Sequence, residues 1–224
     1  MKLSNNDSIR LYMTTSLEKK LRNYPHPYLT DSELENLVDG TQDSRYSKVK
    51  RMLAQGKLLH IKKGLYCITH EIGYFKKPHP FELAQYIYGP SFISLESALS
   101  YHNLIPEAVY TTTSTTGKRS KEIKTPLGHF SYQHVPLKDL YTEVVLIKQN
   151  ESQFFMAKPW RAICDYIYCH RKDWNSLDPL IKSLRINVEN LPELRHEEIQ
   201  LLNEYYHQSR VSRFLKNIQK EMMR

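Results

Sequence analysis

The sequence predicts an α+β protein, in which a small helical N-terminal part ends in a β-hairpin and a larger part combines a mainly antiparallel sheet with a helical C-terminal tail. Three observations predict this class. Apolar residues recur at helical spacing up to residue 56, short alternating runs lie between residues 92 and 157, and helical spacing returns between residues 159 and 222. With 224 residues, 40% of them hydrophobic and 25% charged, the chain has the composition of a globular protein and the length of two modest domains.

The first two helices have clear ends. An amphipathic helix is expected from about Ser8 to Arg22, before two prolines that cannot continue it. The second helix begins at the capping box Thr30-Asp31-Ser32-Glu33, in which the Thr30 hydroxyl and the Glu33 carboxylate each satisfy a backbone amide. Leu29 and Leu34 are placed as the hydrophobic staple around this box, and Asp39-Gly40 ends the helix.

The third helix is expected from Asp43 or Ser44 to Gln55, and Gly56 supplies the left-handed position that ends it. Successive residues are 100° apart around a helix, so the apolar and polar residues can be assigned to sides. The predicted core side holds Tyr46, Val49, Met52 and Leu53. The predicted outward side holds Ser44, Ser47, Lys48, Arg51 and Gln55.

A basic hairpin follows this helix at once. Leu59 to Ile61 and Leu65 to Ile68 are predicted strands around Lys62-Lys63-Gly64, where the glycine permits a positive φ. Helix, helix, basic helix and hairpin is the order of a winged helix-turn-helix. From Asp43 to Lys63 the chain has seven basic residues and one acid, a formal charge of +6 against +8 for the whole chain. This concentration indicates a nucleic-acid contact, because each cation that meets a phosphate releases counterions.

A winged helix places its third helix in the major groove and its hairpin along the neighbouring backbone or minor groove. Arg45 or Arg51 suits a two-pronged contact with guanine, and the hairpin lysines suit phosphates because an ammonium acts as a point charge. The predicted DNA-binding residues are Ser44, Arg45, Ser47, Lys48, Arg51, Gln55, Lys57, His60, Lys62 and Lys63. The alternative is a protein-interaction domain whose lysines only keep it in solution.

Pro78 and Pro80 break the pattern and predict a boundary, with a DNA-binding domain at residues 1–77 and an α+β domain at residues 78–224. Within the second domain the sheet is expected at about residues 92–157 and the later helices at residues 159–222. The first elements are a helix from Phe81 to Tyr88, a strand at Phe92-Ile93 and a helix capped by Ser94. The remaining strands are Val109–Thr115, Ile123–Thr125, Phe130–Val135, Val144–Lys148 and Gln153–Met156, and the helices are Pro159–His170, Arg195–Tyr206 and Ser209–Met222.

Two further basic segments lie in this domain. The first is a secondary candidate surface for nucleic acid or a partner protein, and the second is the last helix, whose apolar stripe suits either the core or a partner contact. For both segments, a solvated face is the alternative interpretation. The first consists of Lys118, Arg119, Lys121 and Lys124, and the second carries Arg210, Arg213, Lys216, Lys220 and Arg224.

Motifs for catalysis are weak. Ser94 and Ser97 are candidate nucleophiles for which His102 would be the base, but no Gly-x-Ser-x-Gly turn surrounds either serine. The seven glycines of the chain form no phosphate-binding loop. We therefore expect no enzymatic activity, no cofactor and no metal site. A metal-dependent nuclease, built from the acids Glu96, Glu122, Glu143 and Asp165, is kept as a third hypothesis.

The cysteines and the hydropathy bear on the compartment. Cys67, Cys164 and Cys169 cannot all pair within one chain, which fits a reducing compartment, and their spacing to histidines is not that of zinc ligands. No apolar run is long enough for a membrane helix, and the first residues lack the apolar core of a signal peptide. A cytoplasmic protein with no membrane partner is expected.

Several short motifs resemble those of the AbiEi antitoxin family. Residues 92–107, FISLESALSYHNLIPE, resemble its central signature, and Lys63-Gly64-Leu65-Tyr66 is similar to its wing. Thr112-Thr113-Ser114 is similar to its following strand, and residues 128–132, GHFSY, to its later hairpin. Residues 157–168 resemble its alanine, proline and aspartate-bearing helix, but Trp160-Arg161 stands where the family often has a glutamate-lysine pair. The resemblance runs from about residue 30 to residue 168.

This resemblance implies an antitoxin of a type IV toxin-antitoxin system, linked to abortive phage infection. Its N-terminal winged helix would repress its own operon by binding promoter DNA, and its C-terminal domain would counteract a nucleotidyltransferase-like toxin. Whether the antitoxin touches the toxin is left open, as are the operator sequence and the oligomeric state. The alternative is a winged-helix transcriptional regulator whose C-terminal domain dimerises or senses a ligand.

Overall fold

The computed structural model describes residues 16–74, 76–136, 138–207 and 209–222. The chain divides into two compact units, the first ending at Pro78 and the second beginning at His79. Each unit combines helices with one sheet, so the mixed helix and sheet composition is confirmed. Within the described ranges no helix has both the length and the apolar character needed to cross a membrane.

The first unit is a small helical domain with a three-stranded antiparallel sheet in the order β1-β3-β2. The predicted helices and hairpin are present, but β1 was not predicted, because three residues between Pro27 and a helix cap are too few to show a strand pattern. Residues 8–15 of the predicted first helix lie outside the described residues. The elements are α1 (Ser16–Arg22), β1 (Tyr28–Thr30), α2 (Asp31–Leu37), α3 (Gln42–Ala54), β2 (Leu58–Lys62), β3 (Leu65–Ile68) and a 3-10 turn (His70–Ile72).

The predicted capping box at the start of α2 is confirmed. The Thr30 amide donates to Glu33 Oε2 at 2.7 Å, and the Glu33 amide donates to Thr30 Oγ1 at 3.3 Å. Leu29 and Leu34, the predicted staple, are both buried in the core cluster of this unit. The box therefore closes the backbone at the point where β1 turns into α2.

Replacing Glu33 with glutamine is expected to remove a pH dependence from the stability of the first unit. Burial raises the pKa of Glu33, but hydrogen bonds from Thr30 and Tyr24 outweigh it, and the pKa of the folded state lies below the ordinary value of 4.5. The carboxylate's contribution is therefore complete above pH 4.5 and is lost as the pH falls through the folded pKa. Hydrogen exchange of the Val38 amide, which donates to the Leu34 carbonyl, should measure this loss.

Glu33→Gln should give a flatter profile of Val38 protection against pH than the wild-type protein. Thr30→Ala should lower the protection by about 1 kcal/mol, the usual effect of losing an N-cap. Ser32→Ala is the matched control, because Ser32 lies in the same turn and is exposed. Equal pH profiles in the wild-type and Glu33→Gln proteins would contradict the assignment.

The second unit is built on a six-stranded sheet in the order β6-β7-β5-β4-β9-β8. The predicted strands and long helices are present to within two residues at most ends, but α7 was not predicted. The elements are α4 (Pro80–Ile87), β4 (Ser91–Ile93), α5 (Leu95–Tyr101), β5 (Thr111–Thr116), β6 (Lys121–Thr125), β7 (Gly128–His134), β8 (Val144–Gln149), β9 (Ser152–Ala157), α6 (Pro159–Cys169), α7 (Leu177–Leu184), a 3-10 turn (Val188–Asn190), α8 (His196–Tyr206) and α9 (Ser209–Met222).

Most strand pairs of the sheet are antiparallel, as expected, but two of the five are parallel, so the sheet is mixed. The pairs β4–β5, β6–β7 and β8–β9 are antiparallel, whereas β5–β7 and β4–β9 are parallel. The parallel pairs arise because the β6–β7 hairpin folds back so that β7 lies beside β5, and because β9 returns to β4. The order of strands in a sheet depends on long-range packing, which a local pattern does not contain.

A polar network lies in the core of this unit. Asp165 on α6 is fully buried and accepts hydrogen bonds from Ser94 Oγ at 2.6 Å, from Arg161 Nε at 3.2 Å and from the Tyr206 hydroxyl. Arg161 is equally buried and also donates to the Thr142 carbonyl at 2.6 Å. Ser94 occupies the cap position of α5, but its side chain binds Asp165 instead of capping the helix.

The C-terminal helix α9 belongs to the core. Those residues of its predicted apolar stripe whose side chains the structure describes are fully buried, so they are not available to a partner. The Trp160-Arg161 pair is also buried, and Trp160 Nε1 donates to the Pro192 carbonyl at 2.8 Å. In this chain those two positions therefore hold the fold together. The buried residues of the stripe are Val211, Phe214, Leu215 and Ile218.

Candidate nucleic-acid interface

Helix α3 begins and ends close to the predicted positions. Thr41 is its N-cap and accepts from the Ser44 amide at 3.4 Å. Gln55 is the C-cap, and Gly56 follows with φ +69°. The helix therefore has 13 residues, or about 20 Å at 1.5 Å per residue.

The rotation of α3 about its axis differs from the prediction. Met52 is buried and Val49 and Leu53 pack against the core, as predicted, but Tyr46 is 69% exposed. Arg45 is half-buried in its place, and its Nε is enclosed without a hydrogen-bond partner. Arg45, Val49 and Met52 are spaced i, i+4 and i+7, so this stripe faces the core. The prediction had counted Tyr46 as an apolar residue and had therefore placed it on the side of α3 that faces the core.

The side of α3 opposite this stripe is exposed. It includes two predicted residues, Ser47 and Arg51, and two that phasing missed, Tyr46 and Lys50. Lys50 was counted among the basic residues of this segment. It was not assigned to the outward side, because Tyr46, four residues earlier, was predicted to face the core. We call Tyr46, Ser47, Lys50 and Arg51 the outward face of α3.

Two predicted DNA-binding lysines are engaged within the unit. Lys48 Nζ donates to the Asp39 carbonyl at 2.5 Å. Lys57 forms an ion pair with Glu18 of α1 at 2.8 Å, in which both side chains are largely buried. Lys48, Lys57, Arg51 and Gln55 all line a groove of about 400 Å³ beside α1. Lys48 and Lys57 thus stabilise the first unit, and only Arg51 of the predicted cations on α3 also belongs to the outward face.

A second groove beside α3 is lined in part by the hairpin. His60 and Tyr66 are cross-strand partners with ring centroids 5.4 Å apart, and Tyr66 lines a groove of about 610 Å³ together with Tyr46 and Arg45. Burial and the nearby Asp31 carboxylate raise the pKa of Tyr66. One tyrosine of α3 and one of the hairpin therefore line the same groove.

The hairpin tip is held by the start of α2. Gly64 has φ +80°, as expected, and its carbonyl accepts from the Asp31 amide at 3.2 Å. Lys63 and His60 are exposed, whereas Lys62 is half-buried. Because the tip is anchored, Lys63 has a defined position relative to the start of α2, which favours a fixed contact with a phosphate.

The secondary basic segment in the second unit is partly occupied by its own fold. Lys118 Nζ donates to the Gly89 carbonyl, and Lys118 and Lys121 lie 5.5 and 5.6 Å from the centre of the Tyr88 ring. The Tyr88 hydroxyl donates to the Arg119 carbonyl at 3.2 Å. All four cations of this segment, Lys124 included, are exposed. These contacts therefore hold the start of the β6–β7 hairpin against Tyr88 and Gly89, while the four cations remain exposed to solvent.

The candidate nucleophile and base residues do not meet. Ser94 binds Asp165, and the Ser97 hydroxyl accepts from the Thr113 amide at 2.8 Å. His102 Nε2 lies 2.8 Å from the Ala157 carbonyl, and burial lowers the pKa of this histidine. Each group is thus engaged in a structural hydrogen bond.

The four acids of the nuclease hypothesis are also dispersed. Asp165 is in the core, Glu143 pairs with Lys158 at 2.8 Å, and Glu96 lies 3.3 Å from His170 in a groove that Glu122 also lines. Among the residues that the structure describes, no three His, Cys, Asp or Glu side chains form a group suited to a metal ion.

The three cysteines are free thiols. Burial raises the pKa of Cys67 to about 11 and also raises the pKa values of Cys164 and Cys169. Since the reactive form of cysteine is the thiolate, these groups are largely unreactive at neutral pH.

A comparison with models of known protein families gave no match, and a comparison with curated proteins gave no significant match. Function therefore has to be inferred from the short motifs and from the geometry of the two units. The basic surface of the first unit is the feature with the most specific chemistry.

Proposed function

We propose that this chain is the antitoxin of a type IV toxin-antitoxin system and that it represses its own operon. In this proposal the first unit is a winged helix-turn-helix that binds promoter DNA, and the second unit counteracts a nucleotidyltransferase-like toxin. The protein acts in the cytoplasm without catalysis or a cofactor. The observation that carries the proposal is that three cations of the first unit, Lys50 and Arg51 on α3 and Lys63 at the hairpin tip, are all exposed.

The dimensions of α3 suit the major groove. The groove of B-DNA is about 12 Å wide and admits one helix, and the outward face presents side chains of three kinds. Arg51 can bind phosphate or a guanine edge, Lys50 can bind phosphate, and Ser47 can bind either. Lys63 and His60 of the hairpin extend the contact to the neighbouring backbone.

The antitoxin half of the proposal rests on the motif resemblance. The motif at residues 92–107 forms β4, α5 and the turn that follows, whose side chains are mostly buried. These residues support the second unit, and any contact with a toxin would use the exposed residues around them. The identity of the neighbouring gene is the cheapest evidence, because a nucleotidyltransferase-like reading frame beside this one is expected.

Binding of the full chain to its own promoter is the first test. If four to six phosphates are neutralised, log K should fall with log salt at a slope of roughly −4 to −5 between 50 and 200 mM salt. A promoter fragment should be preferred over a scrambled duplex of the same length. A flat salt dependence, or no preference for the promoter, would contradict the DNA-binding half.

Protection of growth is the second test. Co-expression of the full chain should rescue cells that express the neighbouring toxin, and a variant deficient in DNA binding should still rescue them when expressed from a foreign promoter. Rescue that depends on the DNA-binding surface would contradict the proposed division of labour. Failure of the wild-type chain to rescue would overturn the antitoxin half while leaving the repressor half open to the first test.

A second candidate is a winged-helix regulator that senses a ligand. One observation favours it, a groove of about 580 Å³ in the second unit, lined by Glu96, Glu122 and His170 and bordered by Tyr110, which is 93% exposed. Promoter binding without protection against any neighbouring toxin, together with a small molecule that releases the DNA, would support this candidate instead.

A further inference from the structure

Tyr46 is unusual among the aromatic side chains of the first unit. Its side chain is 69% exposed, and among the described residues of this unit it is the only large hydrophobic side chain that is exposed to solvent. The other large apolar side chains of α3, those of Val49, Met52 and Leu53, pack against the core. The exposure of Tyr46 is therefore a property of its position and not of a loosely packed helix.

The position of Tyr46 is the one from which a helix in the major groove reads bases. It is the fifth residue of α3, and the N-terminal part of a recognition helix contacts base edges. Lys50 follows at i+4 on the same side, and Tyr46 lines a groove whose other residues come mostly from α2 and α3, with Tyr66 of the hairpin at its edge. Tyr46 thus shares a side of α3 with the exposed Lys50 and a groove with Tyr66 of the hairpin.

The chemistry of a phenol complements that of the cations around it. Lys50, Arg51 and Lys63 bind phosphates or guanine, and none of them recognises an apolar feature of a base. The C5-methyl of thymine is the apolar group that distinguishes bases in the major groove, and an apolar side-chain surface recognises it by contact.

We propose that Tyr46 is a specificity-determining residue that recognises a thymine by packing its ring on the C5-methyl group. This inference rests on the proposed function and deepens it, since it names the base that the recognition helix selects. The hydroxyl of Tyr46 is not required for this contact, and the cations supply the affinity that does not depend on sequence.

The test begins with selection of preferred sites from randomised duplexes by the full-length protein. Each thymine of the selected site is then replaced by deoxyuridine, which removes only the methyl group. For the wild-type protein one replacement should weaken binding about fourfold, the effect of one buried CH₂ group of about 0.8 kcal/mol. Tyr46→Phe should keep this sensitivity, and Tyr46→Ala should lose it.

Salt dependence separates this role from a phosphate contact. All Tyr46 variants should keep the wild-type slope of log K against log salt. Lys50→Ala is the matched control on the same side of α3. It should reduce the magnitude of the slope by about 0.9 and keep the sensitivity to deoxyuridine.

The outcomes distinguish this inference from the proposed function. If the wild-type protein selects no sequence and binds no duplex, the proposed function fails. If it selects a site but no thymine is sensitive, or if Tyr46→Ala is as sensitive as the wild type, the role of Tyr46 is overturned while DNA binding stands. Loss of sensitivity in Tyr46→Phe would assign recognition to the hydroxyl and would also overturn the proposal.

Discussion

Asp165→Ala is expected to lower the free energy of unfolding of the second unit by about 3–5 kcal/mol, the range found when one partner of a buried ion pair is removed. Asp165 is fully buried and is the acceptor for Ser94, Arg161 and Tyr206. The substitution removes the only carboxylate that contacts this guanidinium in the described residues. With Thr115, whose hydroxyl donates to Asp165 at 3.5 Å, four donors lose this acceptor in the buried core.

The cost comes mainly from the charge that remains. Burial lowers the pKa of Arg161, and the Asp165 carboxylate together with Tyr206 and Tyr205 more than compensates, so the folded protein holds a guanidinium with a raised pKa. Without Asp165 the guanidinium keeps the Thr142 carbonyl and the aromatic rings around it, of which Tyr205 is nearest, with its ring centre 3.9 Å away. Its Nη2 is already buried without a partner.

Tryptophan fluorescence is the appropriate measurement for this effect. The chain has two tryptophans, Trp160 and Trp174, and both lie in the second unit, so urea unfolding followed by fluorescence reports on that unit. Trp160 is buried beside Arg161, which makes it sensitive to loss of packing. A loss of less than about 1 kcal/mol would show that water or rearrangement compensates the charge.

Two controls separate charge from packing. The double variant Arg161→Met and Asp165→Leu removes both charges and is expected to be more stable than Asp165→Ala alone. Asp178→Ala removes an exposed acid that pairs with Lys182 at 2.8 Å on α7. Such surface pairs contribute little, and its effect should stay below about 0.5 kcal/mol.

Replacing Lys50, Arg51 and Lys63 together with glutamine is expected to produce the largest loss of DNA affinity. If each cation neutralises one phosphate, the slope of log K against log salt should fall in magnitude by about 2.7. At moderate salt the affinity should fall roughly a hundred- to a thousandfold by the same counterion relation. Promoter binding measured at several salt concentrations gives both quantities from one titration series.

The matched control changes two lysines that the structure places elsewhere. Lys48 binds the Asp39 carbonyl and Lys57 binds Glu18, so Lys48→Gln with Lys57→Gln should affect the stability of the first unit more than its salt slope. Both sets of substitutions remove positive charge from the same domain. If both sets reduce the slope of log K against log salt by the same amount for each charge removed, the total charge of the domain explains binding, and the positions of Lys50, Arg51 and Lys63 do not.

The local elements were predictable because their signals lie within a few residues. The capping box at Thr30, the end of α3 at Gly56 and the turn at Gly64 each depend on backbone geometry that one or two side chains determine. Element order and the concentration of charge in residues 43–63 required only the sequence as well. The short strand β1 and helix α7 were missed, since neither has a pattern long enough to stand out from its neighbours.

The candidate surface was only partly predictable. Arg51, Ser47, His60 and Lys63 are exposed, as expected, but Lys48 and Lys57 are engaged by groups that no helical phasing locates. Glu18 precedes Lys57 by 39 residues, and the pair exists only because α1 packs beside the start of the hairpin. Tyr46 was assigned to the core from its aromatic ring, whereas the packing of α3 selected the stripe that begins at Arg45.

By itself the sequence determined where the helices, the hairpin and the excess charge lie, because caps, prolines, glycines and cations act through near neighbours. Only the tertiary structure decided which side of α3 is outward, that the sheet of the second unit is mixed, and that Ser94 meets Asp165, 71 residues away, in the core. These features depend on how elements pack, and packing is set by the shape and volume of side chains from distant parts of the chain. The positions of the basic residues along the chain are thus local information. The packing of the fold determines which residues of α3 are exposed, Tyr46 and Lys50 among them.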